Sequence, residues 1–298
     1  MTAIANPHHA AIGRTSSTKG AVMTAQLSST TVASRLAWAV SDTWVVARRH
    51  LLRLIRRPDE LLATLLIPVM AMVMFGFVFG DALGAGMTMP GAAYREFLLP
   101  GLFALTMAFG IGSTTIAMAT DIQGGVLDRM RTLPMSNVAV LAGRCLADLL
   151  TAVVELGIVV ALGMVFGWQW HQGPAALAAG LGLLLLLRLA FSWAGILLGL
   201  LVSGPAAAMQ YFALVFPLAM VADTIVPTSL MPSWLATPAQ WNPLSATVVA
   251  ARDLFGNPGL PATSWAGENA LLLAIAWPLA ITGICLALSM HRLRRLSQ

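Results

Sequence analysis

Four ionisable side chains lie within long apolar stretches of the sequence, where an unpaired charge is costly. Arg144, Asp148 and Glu155 are spaced by four and seven residues, so a helix of 3.6 residues per turn places them within about 40° of one face. Arg144 and Asp148 can pair one turn apart, whereas Glu155 lies about 10 Å deeper. Arg188 reaches a similar depth if the chain reverses near His171, so we expect Glu155 and Arg188 to pair directly or through water. The alternative is that Arg188 snorkels or faces the central pathway while Glu155 bonds to the second span.

The sequence contains no motif for nucleotide or metal chemistry. A P-loop ends in Gly-Lys-Ser/Thr, whereas the only lysine, Lys19, lies in Thr-Lys-Gly. His50, His171 and His291 do not have the spacing of metal ligands. The third to fifth apolar stretches carry few ionisable groups, whereas a proton-coupled carrier is expected to place carboxylates or histidines along its path. We therefore predict a chain that binds no cofactor or metal and is not itself an enzyme.

The composition indicates a membrane protein. Charged residues make up 10% of the 298 residues and apolar residues 58%, against about 25% and 45–50% in soluble domains. The net charge of +5 therefore reflects loop charges near a membrane and does not indicate nucleic acid. Cys145 and Cys285 lie in apolar runs, which favours packing roles over a disulfide.

Six apolar runs approach the roughly 20 residues that a membrane-spanning helix needs. They are 61–80, 98–119, 139–166, 175–202, 206–226 and 266–289. Because the runs are long and do not alternate, we predict an all-α integral membrane protein with six transmembrane helices.

The distribution of Lys and Arg predicts the orientation. With the N-terminus inside, only Arg95 and Arg252 of the 17 basic residues lie on the outer side, and Arg188 is mid-span. This bias follows the positive-inside rule, so we predict cytoplasmic N- and C-termini in a bacterial plasma membrane. Trp168 and Trp170 would then lie at the outer interface.

The N-terminal region divides into two parts. Residues 1–34 are rich in Ser, Thr, Ala and Gly, and we expect a disordered cytoplasmic tail. Residues 35–57 place apolar side chains along one helical stripe and arginines opposite, which predicts an amphipathic helix on the membrane surface that ends before Pro58. This helix is either an anchor only or a surface for a cytoplasmic partner. At the other end, 291–298 form a basic cytoplasmic tail.

The segment 120–137 between the second and third runs carries the most specific motif. Its residues Asp121, Gly125, Asp128, Arg129 and Pro134 resemble the coupling segment of type 2 ABC exporter membrane subunits, closest to the daunorubicin-resistance permeases. The resemblance implies a short helix that docks on a separate ATPase, with Arg131 as part of the docking surface. Residues 58–290 would form the permease domain.

A second block, 227–262, resembles the outer segment of the same family, and we call it the outer segment. It is broken by prolines and includes Pro232, Trp234, Asn242 and Pro243. The resemblance implies short helices that re-enter the outer leaflet before the last span. On the fourth run, Gly195, Gly199 and Ser203 place small residues four apart, which predicts a face packed against protein.

The resemblance implies an assembly of two permease copies or paralogues with two ATPase subunits, which would hold ATP and Mg²⁺. The substrate would be a hydrophobic drug, a natural product or a lipid, as in antibiotic resistance. The candidates to line its route are Met70, Met74, Phe75, Met107 and Phe109. A lipid-linked glycan exporter is the nearer alternative, and a membrane scaffold or enzyme is the more distant one. The sequence does not specify which compound is transported or whether the permease forms a homodimer or a heterodimer. It also leaves open whether the substrate is exported or flipped between leaflets.

Overall fold

The computed structural model describes residues 58–89, 91–125, 137–261 and 264–296. Within these ranges every regular element is helical. The predicted amphipathic helix at 35–57 and most of the coupling segment lie outside the described residues.

The described residues from Pro58 to Val165 form four helices and one π-helical turn. Helix α1 covers Pro58–Val73 and continues through the π-helical turn Met74–Val78 into α2, Gly80–Gly86. Helix α3 follows at Gly91–Gln123, and α4 at Asn137–Val165.

The second half contains the remaining helices and the outer segment. Helix α5 covers Pro174–Leu201 and α6 Pro205–Met220. The outer segment then runs through a 3₁₀ turn at Thr228–Leu230, α7 at Ser233–Gln240 and α8 at Pro243–Phe255. The short helix α9, Trp265–Glu268, precedes the last helix α10, Ala270–Leu296.

Four of these helices, α3, α4, α5 and α10, are long and apolar enough to cross a bilayer. A fifth span results if α1 with its π-helical turn and α2, bent by 65° at their junction, count as one. Helix α6 lies in the fifth predicted run but has only 16 residues, fewer than the roughly 20 of a spanning helix. The described structure therefore has four to five candidate spans, and the count of six stays a prediction.

Helix α3 is the centre of the bundle. Its most apolar stretch is 83% buried, against 17% for that of the peripheral helix α10. It packs along α5 and also contacts α4, α6 and α8. Side chains on α3 are therefore held in place by contacts with these four helices.

The outer segment is broken where its prolines predict. Asn242 caps α8 by accepting a hydrogen bond of 2.9 Å from the Leu244 N–H, and Pro243 occupies the first helical position. Gly256 ends α8 with φ of +70°, a conformation that favours glycine.

The two neighbouring tryptophans of the α4–α5 loop differ in burial. Trp168 is 1% exposed and donates a 2.8 Å hydrogen bond to Asn257 Oδ1, whereas Trp170 is 40% exposed. The outer segment therefore supplies an acceptor for the buried Trp168 N–H, and the position of both rings at the outer membrane interface stays a prediction.

Candidate functional site

Glu155 and Arg188 face each other deep in the helix bundle. The Arg188 Nη1 and Glu155 Oε2 atoms are 3.7 Å apart, and both side chains are almost fully buried. Arg188 also donates a hydrogen bond of 3.5 Å to the Met107 carbonyl of α3. The two charges therefore compensate one another where neither could remain alone.

Gly110 makes room for this arginine. A Cβ atom built on Gly110 would overlap the Arg188 guanidinium. The absence of a side chain lets α5 bring the guanidinium directly against the α3 backbone. Sequence reasoning had not assigned a role to Gly110, and only its glycine identity inside a long apolar run could have drawn attention to it.

A second group of charges lies toward the cytoplasmic end of α3 and α4. Arg144 Nη1 is 3.3 Å from Asp121 Oδ2, and Arg144 Nε is 3.4 Å from Asp148 Oδ1. The other Asp148 oxygen accepts a hydrogen bond of 2.8 Å from Thr114 Oγ1. Asp121, Arg144, Asp148 and Thr114 thus form a continuous chain of polar contacts, which we call the inner network.

The inner network begins at the first residue of the coupling motif. Asp121 lies in the last turn of α3, and Gly125 follows with φ of +64°. Arg144 therefore joins the helix that enters the coupling segment to the helix that leaves it. Four motif residues lie outside the described residues, so their placement stays a prediction: Asp128, Arg129, Arg131 and Pro134.

Gly195 and Gly199 lie at the contact between α5 and α3. A Cβ atom on Gly195 would lie 2.9 Å from the Ile111 carbonyl oxygen, and one on Gly199 would lie 3.0 Å from that of Thr115. Both glycines are buried, and they allow a close backbone approach. Ser203 does not share this face, because α5 ends at Leu201 and leaves Ser203 exposed.

The candidate lining residues divide into two groups. Met70 is 51% exposed, and Met74 and Phe75 are half-buried. Met107 and Phe109 lie in the main hydrophobic core, where neighbouring helices enclose them. The assignment of Met107 and Phe109 to a pathway is not supported, because both side chains pack inside this subunit.

A second buried arginine, which was expected from the sequence to be a loop charge, lies at the outer end. Arg252 of α8 is 2% exposed and its Nη1 pairs with the Asp223 carboxylate. Its Nε donates 2.8 Å to the Phe97 carbonyl and its Nη2 donates 3.1 Å to that of Thr224. Burial lowers the pKa of Arg252, and the Asp223 carboxylate opposes this effect.

The signal for this pair was present in the sequence. Arg252 was one of two outer basic residues, in a proline-broken segment, and Asp223 was a carboxylate near the end of an apolar run. We call Asp223, Arg252 and their contacts with Phe97 and Thr224 the outer anchor. Of the predicted outer residues, Asn242 donates 2.8 Å to the Val221 carbonyl, while Trp234 is 75% exposed.

Comparison with known proteins identifies the class of this fold. Residues 41–255 match the ABC-2 type transporter family. The chain is 31% identical to the daunorubicin resistance ABC transporter permease protein DrrB1 of Streptomyces coeruleorubidus, over 73% of this chain and 76% of that protein. It is 24% identical to the probable doxorubicin resistance ABC transporter permease protein DrrC of Mycobacterium tuberculosis, over 83% and 86%.

A further relative matches as well. The putative transport permease ycf38 of Cyanophora paradoxa is 24% identical over 78% of each chain. The family match covers α3, α4, α5 and α6 and ends at the last residue of α8, so it includes both the inner network and the outer anchor. The chain belongs to the ABC-2 type transporter family, as a membrane permease.

Proposed function

We propose that this chain is the permease subunit of an ATP-driven exporter that moves a hydrophobic drug, natural product or lipid out of the cytoplasm or inner leaflet. The names of two relatives, for daunorubicin and doxorubicin resistance, support this substrate class. The protein would work in the bacterial plasma membrane with both termini in the cytoplasm, where most of its arginines would lie.

The observation that carries the proposal is the inner network. Asp121 stands where α3 enters the coupling segment, and Arg144 and Asp148 connect it to Thr114 within the membrane helices. A force applied to the coupling segment would therefore reach α3 and α4 through charge-assisted bonds as well as the main chain. Such a connection suits a subunit that is driven by a partner.

We propose that this partner is an ABC ATPase, present in two copies beside two permeases. The ATPase would bind ATP and Mg²⁺, and its closure would move the coupling segments. The chain itself would supply the lever and the conduit. Met70, Met74 and Phe75 on the first span are the candidates that would face the substrate, because unbranched Met side chains adapt to ligands of different shape.

Transport can be tested in inverted membrane vesicles that contain the permease and an ABC ATPase from the same organism. We expect ATP-dependent uptake of doxorubicin, with none when the ATPase is omitted or when its P-loop lysine is replaced by alanine. Uptake that proceeds equally without ATP or ATPase would refute the proposal.

The docking role of the coupling segment has a separate test. Reversing Asp128 to Lys places like charges at the expected interface, so transport and substrate-stimulated ATP hydrolysis should be lost while folded permease remains. Asp81→Lys, in α2 on the proposed outer side, is the control. Full transport by the Asp128→Lys variant would exclude this docking role.

A further inference from the structure

The outer anchor joins three separate stretches of the chain. Arg252 donates to the Phe97 carbonyl of α3 and the Thr224 carbonyl, and pairs with Asp223. The Asp223 Oδ2 atom accepts from the Thr228 N–H at 3.0 Å and from its hydroxyl at 3.2 Å. The Asp223 N–H donates 2.9 Å to Ser245 Oγ of α8. The anchor therefore binds α8 of the outer segment to α3, and it also binds the 3₁₀ turn at the start of the outer segment.

The guanidinium is also stacked and enclosed. Arg252 Cζ lies 3.6 Å from the centre of the Phe97 ring, which adds a cation–π contact. Gly101, one turn further along α3, lets the Thr224 backbone approach, since a Cβ there would lie 2.9 Å from Thr224 Cα. Planar stacking and a fork of donors are properties of Arg that Lys does not reproduce.

A second set of contacts attaches the α4–α5 loop to the same segment. The His171 N–H donates 2.7 Å to the Phe255 carbonyl, and Gln172 Nε2 donates 2.9 Å to that of Asp253. Asn257 Nδ2 donates 2.7 Å to the Gln169 carbonyl. The end of α8 is therefore fixed from two sides, by α3 and by this loop.

Helix α3 connects this anchor to the coupling segment. It has 33 residues, which at 1.5 Å per residue span about 50 Å. Phe97 lies near its outer end and Asp121 near its inner end. A displacement of α3 that begins at the coupling segment would reach whatever is bonded to Phe97.

We infer that the Asp223–Arg252 pair locks the outer segment onto α3, so that the segment moves with that helix as one body. Arg252 is a positioning residue and does not contact the substrate. The inference rests on the proposed export function, because it names the element that the moving helix would carry. Through the outer anchor, a movement of α3 that begins at the coupling segment would reach the outer segment.

The attachment is measured first, without transport. Val248 of α8 is 0% exposed and packs in the core with α3, so Val248→Cys reports any separation of the two helices. Cys145 and Cys285 are replaced by Ala, and purified permease in detergent is labelled with a maleimide. We expect slow labelling in this background. Labelling should be faster by about tenfold or more when Asp223→Asn or Arg252→Lys is added. The first change removes the negative partner of Arg252, and the second replaces the forked guanidinium donors by a single ammonium group.

Two controls separate detachment from unfolding. Asp253→Asn removes a neighbouring carboxylate that is exposed and should leave the labelling rate unchanged. A cysteine at Ala147, which is 2% exposed on α4, should stay unlabelled in every variant. Unchanged labelling of Val248→Cys in both anchor variants would overturn the lock.

Transmission is measured next, in vesicles that contain the ATPase. We expect Arg252→Lys to lower the maximal transport rate and the drug-stimulated ATP hydrolysis by about tenfold, with basal hydrolysis and the substrate concentration for half-maximal rate unchanged. A purely structural defect would lower basal and stimulated hydrolysis together. If the anchor variants label faster but transport at the normal rate, the one-body motion is refuted. If the unmodified permease fails to transport, the proposed function falls while the labelling result on the lock still stands.

Discussion

The outer anchor holds its arginine differently from the inner network and the neighbouring Glu155–Arg188 pair. All three nitrogens of the Arg252 guanidinium donate or pair, and an aromatic ring covers its face. Within the described residues, Arg144 Nε and Arg188 Nε make no hydrogen bond. The inner ion pairs are also long, at 3.3 to 3.7 Å.

This contrast separates a fixed site from one that can rearrange. A buried arginine with a partner at each of its three nitrogens specifies one geometry, because any movement leaves donors unpaired. In the inner network and the neighbouring Glu155–Arg188 pair, three carboxylates, Asp121, Asp148 and Glu155, face two guanidinium groups. Such a set has more than one way to pair, which suits the end of the molecule where we propose that the ATPase acts.

The largest expected effect comes from filling the space at Gly110. Gly110→Leu would displace the Arg188 guanidinium from both Glu155 and the Met107 carbonyl. We expect a loss of about 4–8 kcal/mol in the free energy of unfolding, since the cost of overpacking adds to that of a broken buried pair. Thermal unfolding of the purified permease in detergent measures it.

Gly157 offers a matched control on α4. A Cβ atom there meets no atom within 4 Å, so Gly157→Leu carries the same change of residue without the collision. Equal unfolding temperatures for the Gly110→Leu and Gly157→Leu variants would show that Gly110 does not accommodate the arginine.

Removing one member of the Glu155–Arg188 pair should have the next largest effect. Arg188→Leu leaves a buried carboxylate without its cation, which costs about 3–5 kcal/mol. Adding Glu155→Gln removes the orphaned charge, so the double variant should recover much of that loss. A double-mutant cycle on unfolding free energies measures the recovery, and strictly additive losses would argue against the pair.

The sequence predicted the helical class and much of the charge placement, and the reason is physical. Helices in a bilayer have a fixed rise per residue, so counting from the loop near His171 brings Glu155 and Arg188 to one depth, and the structure places them 3.7 Å apart. The glycines at 195 and 199 follow the same regularity. These inferences needed only the periodicity of one helix, or the membrane depth of residues on two neighbouring helices.

The outer anchor could not be derived in that way. Arg252 and Asp223 are 29 residues apart across a 3₁₀ turn, α7 and several prolines, and irregular backbone has no fixed rise to count along. Trp168 shows the same limit, since its partner Asn257 lies 89 residues away in sequence. Met107 and Phe109 failed as lining candidates because no single-helix pattern tells a core face from a pathway face.

The smallest effect on stability, and the sharpest test of the contrast, is expected at Asp121. Asp121→Asn removes the charge of the inner network that lies nearest the coupling segment. The Asp121 side chain is 39% exposed, so the pair with Arg144 contributes at most about 1 kcal/mol and the unfolding temperature should barely change. Drug-stimulated ATP hydrolysis should nevertheless fall by about fivefold, as a lost coupling contact does.

Glu268→Gln is the matched control, because it also removes one negative charge, from an exposed carboxylate in α9 on the proposed outer side. This variant should leave drug-stimulated ATP hydrolysis unchanged. If Asp121→Asn instead lowered stability as much as Arg188→Leu and left stimulation unchanged, Asp121 would be a structural tie like Asp223. The inner network would then be as fixed as the outer anchor, and the contrast between the two regions would not hold.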